Sequence, residues 1–543
     1  MEFNYVIVGA GSAGCLLANR LSSKPENKVC LIEAGPSDRS PLIHIPAGFM
    51  RTITNKKLNW LYQTEPSEGT NWRSIPTPRG KVLGGSSSIN GLIFNRGQKM
   101  DFDNWAQRGN LGWSYADLLP HFKSLECYIP SNSHGPRPSS SSNLRGSKGE
   151  MTITDLEWRD PLCEAFIKAA ISMGMPLNPD YNGLNQEGVS YVQRTFSGML
   201  RMSSSRAYLK PIKNRKNLHV ITNAHVTDLK FESQRVVGLI YKKNRSDDKG
   251  VFVKANNELI LSAGSINSPQ ILQLAGIGPG NLLKSLGIKV RKDLAGVGKN
   301  LRDHYATRLT GRAKNVKTIN EMSRGLPLLG EILKYAMGRQ SILALGPTLV
   351  YCFWHSSELH RNNDLQISFT PASYALGRQA ELDRFPGFSI ASWVQRPQSS
   401  GWIKIKSKDP FDKPTIQPNY LQSREDQRIL INGIKISRNL MNSNELLPYF
   451  DHEVYPGKNI QTDDELLHVA RERSNTAYHL VGSCRMAPLT DKTSVVDSNL
   501  CVRGFDNLRV VDASIMPMIP SSNVNAAVLA IAEKTASQIL NPS

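Results

Sequence analysis

The feature that most constrains the fold of this chain is a glycine-rich turn near its start, set between two short apolar segments. Residues 5–8 and 29–32 are continuous apolar runs that predict buried strands, and residues 11–22 predict a helix between them. Three glycines at the G-x-G-x-x-G spacing open that helix: Gly9, Gly11 and Gly14. In a strand–helix–strand context this spacing indicates a dinucleotide-binding unit. The first glycine permits a tight turn, the second lets the backbone approach a pyrophosphate, and the third lets helix and strand pack closely.

Two further features of this unit favour a bound nucleotide. The helix N-terminus offers unpaired N–H groups and a partial positive charge to phosphates. Glu33 directly follows the second strand, and its carboxylate can accept two hydrogen bonds from an adenosine ribose. The alternative is a glycine turn in some other α/β protein, which the terminal acid makes the poorer interpretation.

Composition places the chain among ordinary globular proteins. Its 543 residues are enough for two or more structural units with a large core, and 40% are hydrophobic and 21% charged. No apolar run is long enough to span a bilayer, and the predicted fold begins so close to Met1 that we expect no signal peptide. The seven cysteines are scattered, which argues against a disulfide framework and fits a reducing cytoplasm. Neither Cys-x-x-Cys nor His-x-x-x-His occurs, so we predict no metal site.

The formal net charge of +20 bears on the partners of the protein. The basic residues are spread along the chain, without a basic arm or interleaved aromatic residues, so we expect no nucleic-acid partner. Peripheral contact with an anionic membrane surface is the better-supported use of this charge. We therefore expect the protein in the cytoplasm, either free or at the inner face of the membrane.

The chain divides by pattern into three regions. Residues 1–300 hold the nucleotide-binding unit, a Ser/Pro/Gly-rich segment over 130–148 that predicts an exposed loop, and strands from 218 to 262 that predict a β-meander. Residues 301–455 predict a substrate domain with helices and a sheet. Residues 456–543 predict a return of the chain to the nucleotide domain.

One segment of the middle region has a helical pattern of its own. Over residues 326–337, leucines and other apolar residues recur at near-helical spacing among charged residues, which predicts an amphipathic helix. Such a helix can pack on its own domain, face a membrane, or cover an active site as a lid. The sequence leaves these alternatives open, including whether residues 321–345 contact a membrane.

Four separated motifs resemble those of the glucose-methanol-choline (GMC) family of flavoprotein oxidoreductases, and the likeness covers essentially the whole chain. The motifs are the glycine turn, residues 80–103, residues 264–278, and the C-terminal pair 478–486 and 512–525. Within the family the chain is most similar to bacterial choline and aliphatic alcohol dehydrogenases. The resemblance implies an α/β fold (α+β overall), with a Rossmann-like FAD-binding domain and an antiparallel-sheet-based substrate domain.

FAD is the cofactor that the resemblance implies. In some relatives a histidine near Asn90 is bonded covalently to the flavin, but the matching position here is Ile89, which cannot form that bond, so we predict non-covalent FAD. The resemblance also implies cofactor-contacting positions in the four motifs and at a few sites between them. These are Gly9, Gly11, Ser12, Ala13, Gly14, Glu33, Ala34, Trp60, Val82, Gly85, Asn90, Gly91, Leu92, Ile93, Val226, Ala263, Tyr478, Asp512 and Ala513.

The catalytic residues that the resemblance implies are His479 and Asn523. Taken alone, His479 is more often a buried structural histidine and Asn523 a turn residue after Pro520, but both stand at the family's active-site positions. An imidazole of near-neutral pKa can take the proton of an alcohol hydroxyl, and an amide can orient that hydroxyl without becoming charged. The flavin takes the hydride.

Several residues depart from the family pattern around this pair: Leu480, Ala487, Ser522 and Ala527 stand where proline, glycine, glycine and proline are common. These changes affect the shape of the pocket floor, so they leave the substrate more open than the chemistry. Choline would require an aromatic cage and a carboxylate. Trp354, Trp393 and Trp402 are available for a cage, but the sequence does not bring them together.

We therefore predict an FAD-dependent alcohol dehydrogenase that oxidises a primary alcohol to the aldehyde and passes electrons to a quinone or another non-oxygen acceptor. One alternative is an oxidase that forms hydrogen peroxide. Another is a non-redox or light-driven enzyme, such as a lyase or a fatty-acid photodecarboxylase, and a third is a flavin-binding protein without turnover. The identity of the alcohol, the acceptor and the oligomeric state stay open.

Overall fold

Two large sheets organise the computed structural model, which describes residues 1–131, 143–247, 249–358, 362–375, 377 and 380–541. Most of the loop predicted over 130–148 therefore lies outside the described residues. In chain order the strands of the two sheets are β1 (Glu2–Val8), β2 (Val29–Ile32), β3 (Gly188–Tyr191), β4 (Leu218–Ile221), β5 (His225–Glu232), β6 (Arg235–Lys242), β7 (Val251–Leu261), β8 (Tyr305–Ala313), β9 (Val350–Trp354), β10 (Leu365–Thr370), β11 (Gly387–Val394), β12 (Phe450–Tyr455), β13 (Asn475–Thr476) and β14 (Leu508–Val510).

The first sheet, which we call the nucleotide sheet, has the order β4-β2-β1-β7-β6-β5, and β14 also pairs with β7. Strands β4, β2, β1, β7 and β14 run parallel, whereas β5 and β6 form an antiparallel extension. Val6, Ile7 and Val8 of the central strand are all buried. Continuous apolar runs are typical of parallel strands that are covered on both faces, which is why this unit could be predicted from the sequence.

The predicted meander is wrong in two places. β4 pairs in parallel with β2, not with the strand that follows it in the chain. β7 is one strand where the apolar runs at 251–253 and 258–262 predict two, because it changes partners along its length. Lys254 lies opposite Gly238 of β6, whereas Leu259 lies opposite Leu508 of β14.

The second sheet, which we call the substrate sheet, is antiparallel throughout. Its order is β12-β8-β11-β10-β9-β3, and β13 pairs with β8 beyond the end of β12. β3 and β13 come from outside residues 301–455, so the chain builds this sheet from three separate stretches. The domain division at residues 300 and 455 stays a prediction, but the fold class is confirmed: a Rossmann-like α/β unit with an antiparallel sheet beside it.

The longer helices of the described chain are α1 (Ser12–Leu21), α2 (Lys99–Gln107), α3 (Tyr115–Leu125), α4 (Pro161–Ser172), α5 (Gly264–Leu274), α6 (Gly325–Ala336), α7 (Arg424–Met441), α8 (Asp463–Arg473) and α9 (Asn525–Leu540). α1 packs against α9 beside the nucleotide sheet, and α7 packs on the substrate sheet. Each sheet thus has a separate hydrophobic core. In the part of the chain that the structure describes, no helix combines the length and apolarity needed to cross a bilayer.

Shorter elements connect these units. The short helices and helical turns are Pro41–His44, Pro46–Gly48, Phe49–Thr52, Glu68–Thr70, Gly85–Ser88, Ser205–Leu209, Lys210–Ile212, Gly280–Ser285, Ile319–Met322, Ile342–Ala344 and Ala513–Ile515. The remaining strands are Tyr62–Gln63, Pro76–Thr77, Glu126–Ile129, Met151–Asp155, Gln193–Ser197, Leu200–Arg201, Ile277–Gly278, Lys292–Asp293, Lys299–Leu301, Gly401–Lys404 and Thr415–Gln417.

Helix α6, the predicted amphipathic helix, is oriented opposite to an ordinary surface helix. Its buried residue is Glu331, which is 4% exposed, whereas Leu326 is 80% and Leu333 is 63% exposed. The Glu331 carboxylate accepts a hydrogen bond from the backbone N–H of Ile342 at 3.0 Å, and Lys334 lies 2.7 Å from its other oxygen. The helix is therefore held to the protein by Leu328, Glu331 and Tyr335, and it presents most of its other apolar side chains outward.

Candidate active site

A cavity of about 730 Å³ is lined by residues of both sheets and of the C-terminal region. At its nucleotide end, Gly9 has a φ of 98°, and a Cβ there would lie 2.5 Å from the carbonyl oxygen of Ser262. A Cβ on Gly14 would lie 1.9 Å from the carbonyl oxygen of Gly9. Only glycine tolerates this conformation and this approach, so both glycines are required by the turn that shapes the end of the cavity.

Glu33 lines the same end of the cavity. Its carboxylate accepts hydrogen bonds from the backbone N–H groups of Ala10, at 2.9 Å, and Gly35, at 2.8 Å. Burial raises the pKa of Glu33 to about 7, and these two backbone donors oppose that rise. The acid is therefore held at the cavity wall by main-chain donors and retains lone pairs that can accept from a ligand hydroxyl.

Two helix N-termini meet at this end. Neither α1 nor α9 has a side-chain cap in the described structure, and the Ser12 hydroxyl of α1 donates to Asn525 of α9 at 2.7 Å. Uncapped helix N-termini present unpaired N–H groups and partial positive charge, which favour a phosphate. Together with the glycine turn and Glu33, they fit the pyrophosphate and ribose of a dinucleotide such as FAD.

Most of the sequence-predicted cofactor residues line the cavity. They are Gly9, Gly11, Ser12, Ala13, Glu33, Ala34, Trp60, Gly85, Asn90, Gly91, Ile93, Val226, Ala263, Tyr478, Asp512 and Ala513. Gly14, Val82 and Leu92 do not line it. Gly14 acts in packing, Val82 lies in a buried cluster with Ile43 and Leu58, and Leu92 is fully buried. Direct cofactor contact stays a prediction for all of these residues.

A buried arginine that the sequence analysis missed lies beside Asn90, one of the predicted cofactor contacts. Arg201 donates to the Asn90 side-chain oxygen at 2.6 Å and to the Ile43 carbonyl at 2.9 Å. Asn90 also accepts from the backbone N–H of Leu92, at 3.0 Å. Burial lowers the pKa of Arg201 to about 9, and no nearby carboxylate opposes that shift among the described residues. Arg201 thus fixes the Asn90 amide at the cavity wall.

The predicted catalytic residues are in contact. His479 Nε2 lies 3.1 Å from the side-chain nitrogen of Asn523, and the Asn523 oxygen accepts from the hydroxyl of Tyr351 at 3.2 Å. All three residues line the cavity. Because the tyrosine hydroxyl donates to the amide oxygen, the amide nitrogen is the end that faces the imidazole.

A second buried histidine determines which nitrogen of His479 carries a proton. His304 Nε2 lies 2.8 Å from the carbonyl oxygen of Gln395, which can only accept, so this nitrogen must donate. Burial lowers the pKa of His304 to about 4, so the ring is neutral near pH 7 and its Nδ1 can only accept. His479 Nδ1 lies 2.9 Å from that atom and must donate to it. In neutral His479 the Nε2 that faces the cavity is therefore unprotonated.

The His479 backbone is also fixed. A buried carboxylate, that of Asp303, accepts from the backbone N–H of His479 at 2.7 Å and from the Tyr420 hydroxyl at 2.6 Å, and the Thr476 hydroxyl donates to it as well. The preceding residue, Tyr478, has a φ of 68°, which is uncommon for a residue with a side chain. Surrounding contacts must hold such a conformation, and its presence next to a reacting group is typical of a functional site.

The pKa of His479 lies well below its ordinary value. Burial is the main cause, and the neighbouring His304 and Arg79 add to it. The imidazole is therefore neutral at neutral pH, and its unprotonated Nε2 is available as a base in the cavity.

Sequence reasoning missed His304, Tyr351, Asp303 and Gln395. His304 and His479 are 175 residues apart, and the Asp303–His304 pair carries no local pattern that distinguishes it from a buried structural segment. The proximity of these groups follows from the pairing of β8 with β13, in which Tyr305 lies opposite Thr476.

Comparisons with known proteins find similar sequences over nearly the whole chain. Family models described as GMC oxidoreductase match residues 3–306 and 397–532. The chain is similar to an alcohol dehydrogenase (acceptor) of Pseudomonas putida, with 40% identity over 540 residues that cover 99% of this chain and 96% of that protein. It is also similar to an oxygen-dependent choline dehydrogenase of Staphylococcus xylosus, with 39% identity over 98% of this chain and 94% of that protein.

Solved structures show the same likeness. A structure concerned with FAD modification in the formate oxidase of Aspergillus oryzae RIB40 has a TM-score of 0.89 and 26% identity, and the match covers 99% of this chain and 98% of that chain.

Proposed function

The chain belongs to the GMC oxidoreductase family and is an FAD-dependent oxidoreductase of the alcohol and choline dehydrogenase type, and on that basis we propose that it oxidises a primary alcohol to the aldehyde. The observation that carries this proposal is the hydrogen-bond chain from the Gln395 carbonyl through His304 to His479. It leaves His479 Nε2 unprotonated beside the side-chain nitrogen of Asn523.

In the proposed reaction a substrate hydroxyl lies between His479 and Asn523. It donates its proton to His479 Nε2 and accepts from the Asn523 amide, which replaces the direct contact between the two side chains. As the proton moves, His304 Nδ1 continues to accept from His479 Nδ1 and keeps the ring in orientation. The amide donor of Asn523 then stabilises the negative charge that develops on the oxygen. Bound FAD would accept the hydride from the carbinol carbon.

The proposal is tested by adding a panel of primary alcohols to the purified holoenzyme without oxygen and following the flavin absorbance. We expect bleaching with at least one alcohol, and we expect His479→Ala to retain FAD while bleaching is lost. Flavin that stays oxidised with every alcohol would instead favour a lyase, a light-driven reaction or binding without turnover. Undiminished bleaching in His479→Ala would remove His479 from the mechanism.

We propose a quinone or another non-oxygen compound as the electron acceptor. The similarity to an alcohol dehydrogenase named for an acceptor supports this choice. The second candidate is an oxidase, which the similarity to a formate oxidase favours. After anaerobic bleaching, rapid recovery of the flavin absorbance with a quinone analogue and slow recovery in air would support the dehydrogenase. Stoichiometric oxygen uptake with peroxide formation would support the oxidase.

We propose that FAD is bound without a covalent link. Ile89 lines the cavity at the position where some relatives carry a linking histidine, and its side chain offers no nucleophile. The contacts available to the cofactor are then hydrogen bonds, charge and packing from the groups described above.

We further propose that helix α6 rests on an anionic membrane surface. Its outward apolar side chains are Leu326, Leu329, Ile332, Leu333 and Met337. Exposed basic residues flank the helix, namely Lys314, Lys317, Arg324, Lys334 and Arg339. Glu331 adds little negative charge to the surface of the helix, because it is buried beside Lys334. An apolar face with a basic border fits the headgroup region of an anionic bilayer.

The position of α6 also supports access of a membrane-bound electron acceptor to the cavity wall. Arg324, at its start, donates to the Leu382 carbonyl at 2.7 Å, and Asn320 in the preceding turn donates to the Ser373 carbonyl at 2.9 Å. The cavity-lining residues Tyr374 and Ala380 lie between those two carbonyls in the chain. A membrane-bound quinone would then reach the protein on the side where the cavity wall is attached. All seven cysteines, each of them described, are free thiols, which fits our proposal that this surface is cytoplasmic.

A further inference from the structure

The charges that line the cavity are unevenly distributed. Among the described residues, its acids Glu33 and Asp512 lie at the nucleotide end, where both accept backbone N–H groups. Elsewhere the charged side chains of the described lining are four arginines and one glutamate: Arg73, Arg79, Arg308, Arg473 and Glu472. The two lining histidines, His225 and His479, have a pKa that burial lowers. The part of the cavity that is left for a substrate is therefore positive.

Three of these arginines have partners. Arg73 donates to the Tyr305 hydroxyl at 3.1 Å and to backbone carbonyls, and Arg473 lies 3.3 Å from the carboxylate of Glu472. Arg79 donates to the Pro78 carbonyl at 3.1 Å, and the charge of Asp303 acts on it. These contacts engage the three side chains only in part, because Arg73 Nε and Arg79 Nη2 are buried without a hydrogen-bond partner in the described structure.

Arg308 differs from the other three. Its guanidinium stacks over the ring of Tyr374, 4.6 Å from the centroid. No carboxylate of the described chain lies within 4.0 Å of it, and within the same limits no hydrogen bond to another residue is found. A guanidinium that is stacked by its face keeps its N–H groups free along its edge, which is the geometry that binds a carboxylate through two parallel hydrogen bonds.

The sheet register connects Arg308 to the catalytic pair. Arg308 of β8 lies opposite Ala391 of β11, Ala391 lies opposite Ser368 of β10, and Ser368 lies opposite Tyr351 of β9. All four residues line the cavity, and the Tyr351 hydroxyl donates a hydrogen bond to Asn523. Three strand spacings separate the Cα atoms of Tyr351 and Arg308, which is about 14 Å.

The floor between the two ends has small side chains in two rows, and the larger Trp393 lies in the row on their other side. Ala391 and Ser368 occupy the row itself, and Ser389 and Thr370 form the next row on the same face. A slender chain can therefore lie across the sheet, with its hydroxyl at His479 and Asn523 and its other end at Arg308.

We infer that the alcohol oxidised here carries a carboxylate several bonds from its hydroxyl, and that Arg308 is the residue that binds this carboxylate. The inference rests on the proposed alcohol oxidation. The same charge disfavours choline, because a quaternary ammonium would approach an unpaired cation and would lose water contacts without gaining a carboxylate.

The test measures anaerobic flavin bleaching of the wild-type holoenzyme with each of three alcohols: ω-hydroxyhexanoate, hexanediol and choline. We expect kcat/KM for the hydroxy acid to exceed that for the uncharged diol by about threefold to fivefold, since Arg308 is solvent-exposed and an exposed ion pair is worth about that factor. We expect choline to be the poorest of the three. Equal values for the acid and the diol, or a preference for choline, would overturn the inference.

Variants locate the effect at Arg308. In Arg308→Gln the ratio of kcat/KM for the acid to that for the diol should fall to near one, chiefly through KM of the acid, and Arg308→Lys should restore part of it. Arg312→Gln is the matched control, because Arg312 lies on the same face of β8 but outside the cavity lining and stacks on Phe385. Its ratio should equal that of the wild type. An unchanged ratio in Arg308→Gln would overturn the assignment.

A binding measurement separates this inference from the proposed function. Hexanoate has the carboxylate but no hydroxyl, so its binding can be followed by perturbation of the flavin absorbance or by thermal shift, without turnover. If no alcohol bleaches the flavin but hexanoate binds the wild type and not Arg308→Gln, the proposed oxidation fails and the anion site stands. If alcohols bleach the flavin and hexanoate does not bind, the oxidation stands and the anion site fails.

Discussion

At the scale of single residues, the function of His479 depends on a group that does not touch the substrate. The Gln395 carbonyl orients His304, and His304 in turn holds the proton of His479 on Nδ1. Both imidazoles are buried, and burial lowers the pKa of each. The base is thus prepared by the position of an acceptor atom, not by a neighbouring carboxylate.

Replacing His304 should therefore impair the chemical step more than binding. In His304→Ala the Nδ1 proton of His479 loses its acceptor, and the ring can adopt the other tautomer, which presents an N–H to the substrate. We expect the limiting rate of anaerobic bleaching to fall by about tenfold or more, with FAD content and KM little changed. His304→Gln, whose carbonyl can accept, should recover part of the rate. Equal losses in the two variants, or loss of FAD from both, would point to a structural role.

The lowered pKa of His479 predicts the pH dependence of the reaction. Activity requires the neutral imidazole, which is present above the pKa and is lost as the pH falls through it. Because burial, with smaller effects of His304 and Arg79, places that pKa well below the ordinary 6.5, kcat/KM for an uncharged alcohol should be constant from about pH 6.5 upward through neutrality and fall only at lower pH. Anaerobic bleaching rates across this range are the measurement. An acidic limb centred near pH 7 would contradict the prediction.

At the scale of elements, the direction in which α6 faces is the clearest departure from ordinary packing. A helix of a globular protein normally buries its apolar face. Here a buried glutamate and the Ser341 hydroxyl, which donates to the Glu331 carbonyl at 2.8 Å, hold the polar side inward. The sequence pattern predicted the helix itself correctly, but it could not predict which side the protein would cover.

If α6 rests on a membrane, charged residues on its apolar face should weaken binding to anionic vesicles. We expect Leu329→Glu combined with Leu333→Glu to lower the affinity for phosphatidylglycerol vesicles in sedimentation by about tenfold or more, because each leucine loses its burial in the bilayer and each new acid is repelled. Leu489→Glu is the control, since Leu489 is 69% exposed and lies far from α6 in the sequence.

Two other outcomes would contradict the contact of α6 with a membrane. Unchanged vesicle binding in the double variant would exclude α6 as the contact. Self-association of the wild type that the double variant abolishes would show that a second copy of the chain covers the helix.

At the scale of the whole molecule, the cavity is assembled from segments at opposite ends of the chain. The Ser12 hydroxyl donates a hydrogen bond to Asn525, and the backbone N–H of Gly264 donates to the carboxylate of Asp512 at 2.8 Å. The C-terminal region thus completes the nucleotide end and also supplies the proposed catalytic pair. Because residues of both sheets line this cavity, a cofactor that filled it would couple its binding to the packing of the whole chain.

Because the proposed binding of FAD depends on the folded chain alone, unfolding should release the cofactor. We expect acid or heat denaturation to leave the yellow chromophore in the supernatant and a colourless pellet. Thin-layer separation of the supernatant should identify FAD. A yellow pellet that resists washing in denaturant would show a covalent link. That link would have to come from a nucleophilic side chain elsewhere, because Ile89 has none.

The sequence by itself determined the features that depend on neighbouring residues. The positions of Gly9, Gly11 and Gly14 predict the nucleotide turn because only glycine allows that backbone conformation and close approach. The apolar runs of β1 and β2 predict buried parallel strands because both faces of such strands are covered. The resemblance of the signature motifs to those of the GMC family implied His479 and Asn523 as catalytic residues, although without their partners.

The tertiary structure alone decided the features that depend on register between distant strands. The pairing of β8 with β13 brings His304 to His479. The row from Tyr351 to Arg308 depends on the pairing of β8 with β11, although β9 and β10 lie between those two strands in the chain. A shift of one residue in any of these pairings would turn the side chains to the opposite face of the sheet. Register is set by the packing of both sheets together, so no local pattern in the sequence contains it.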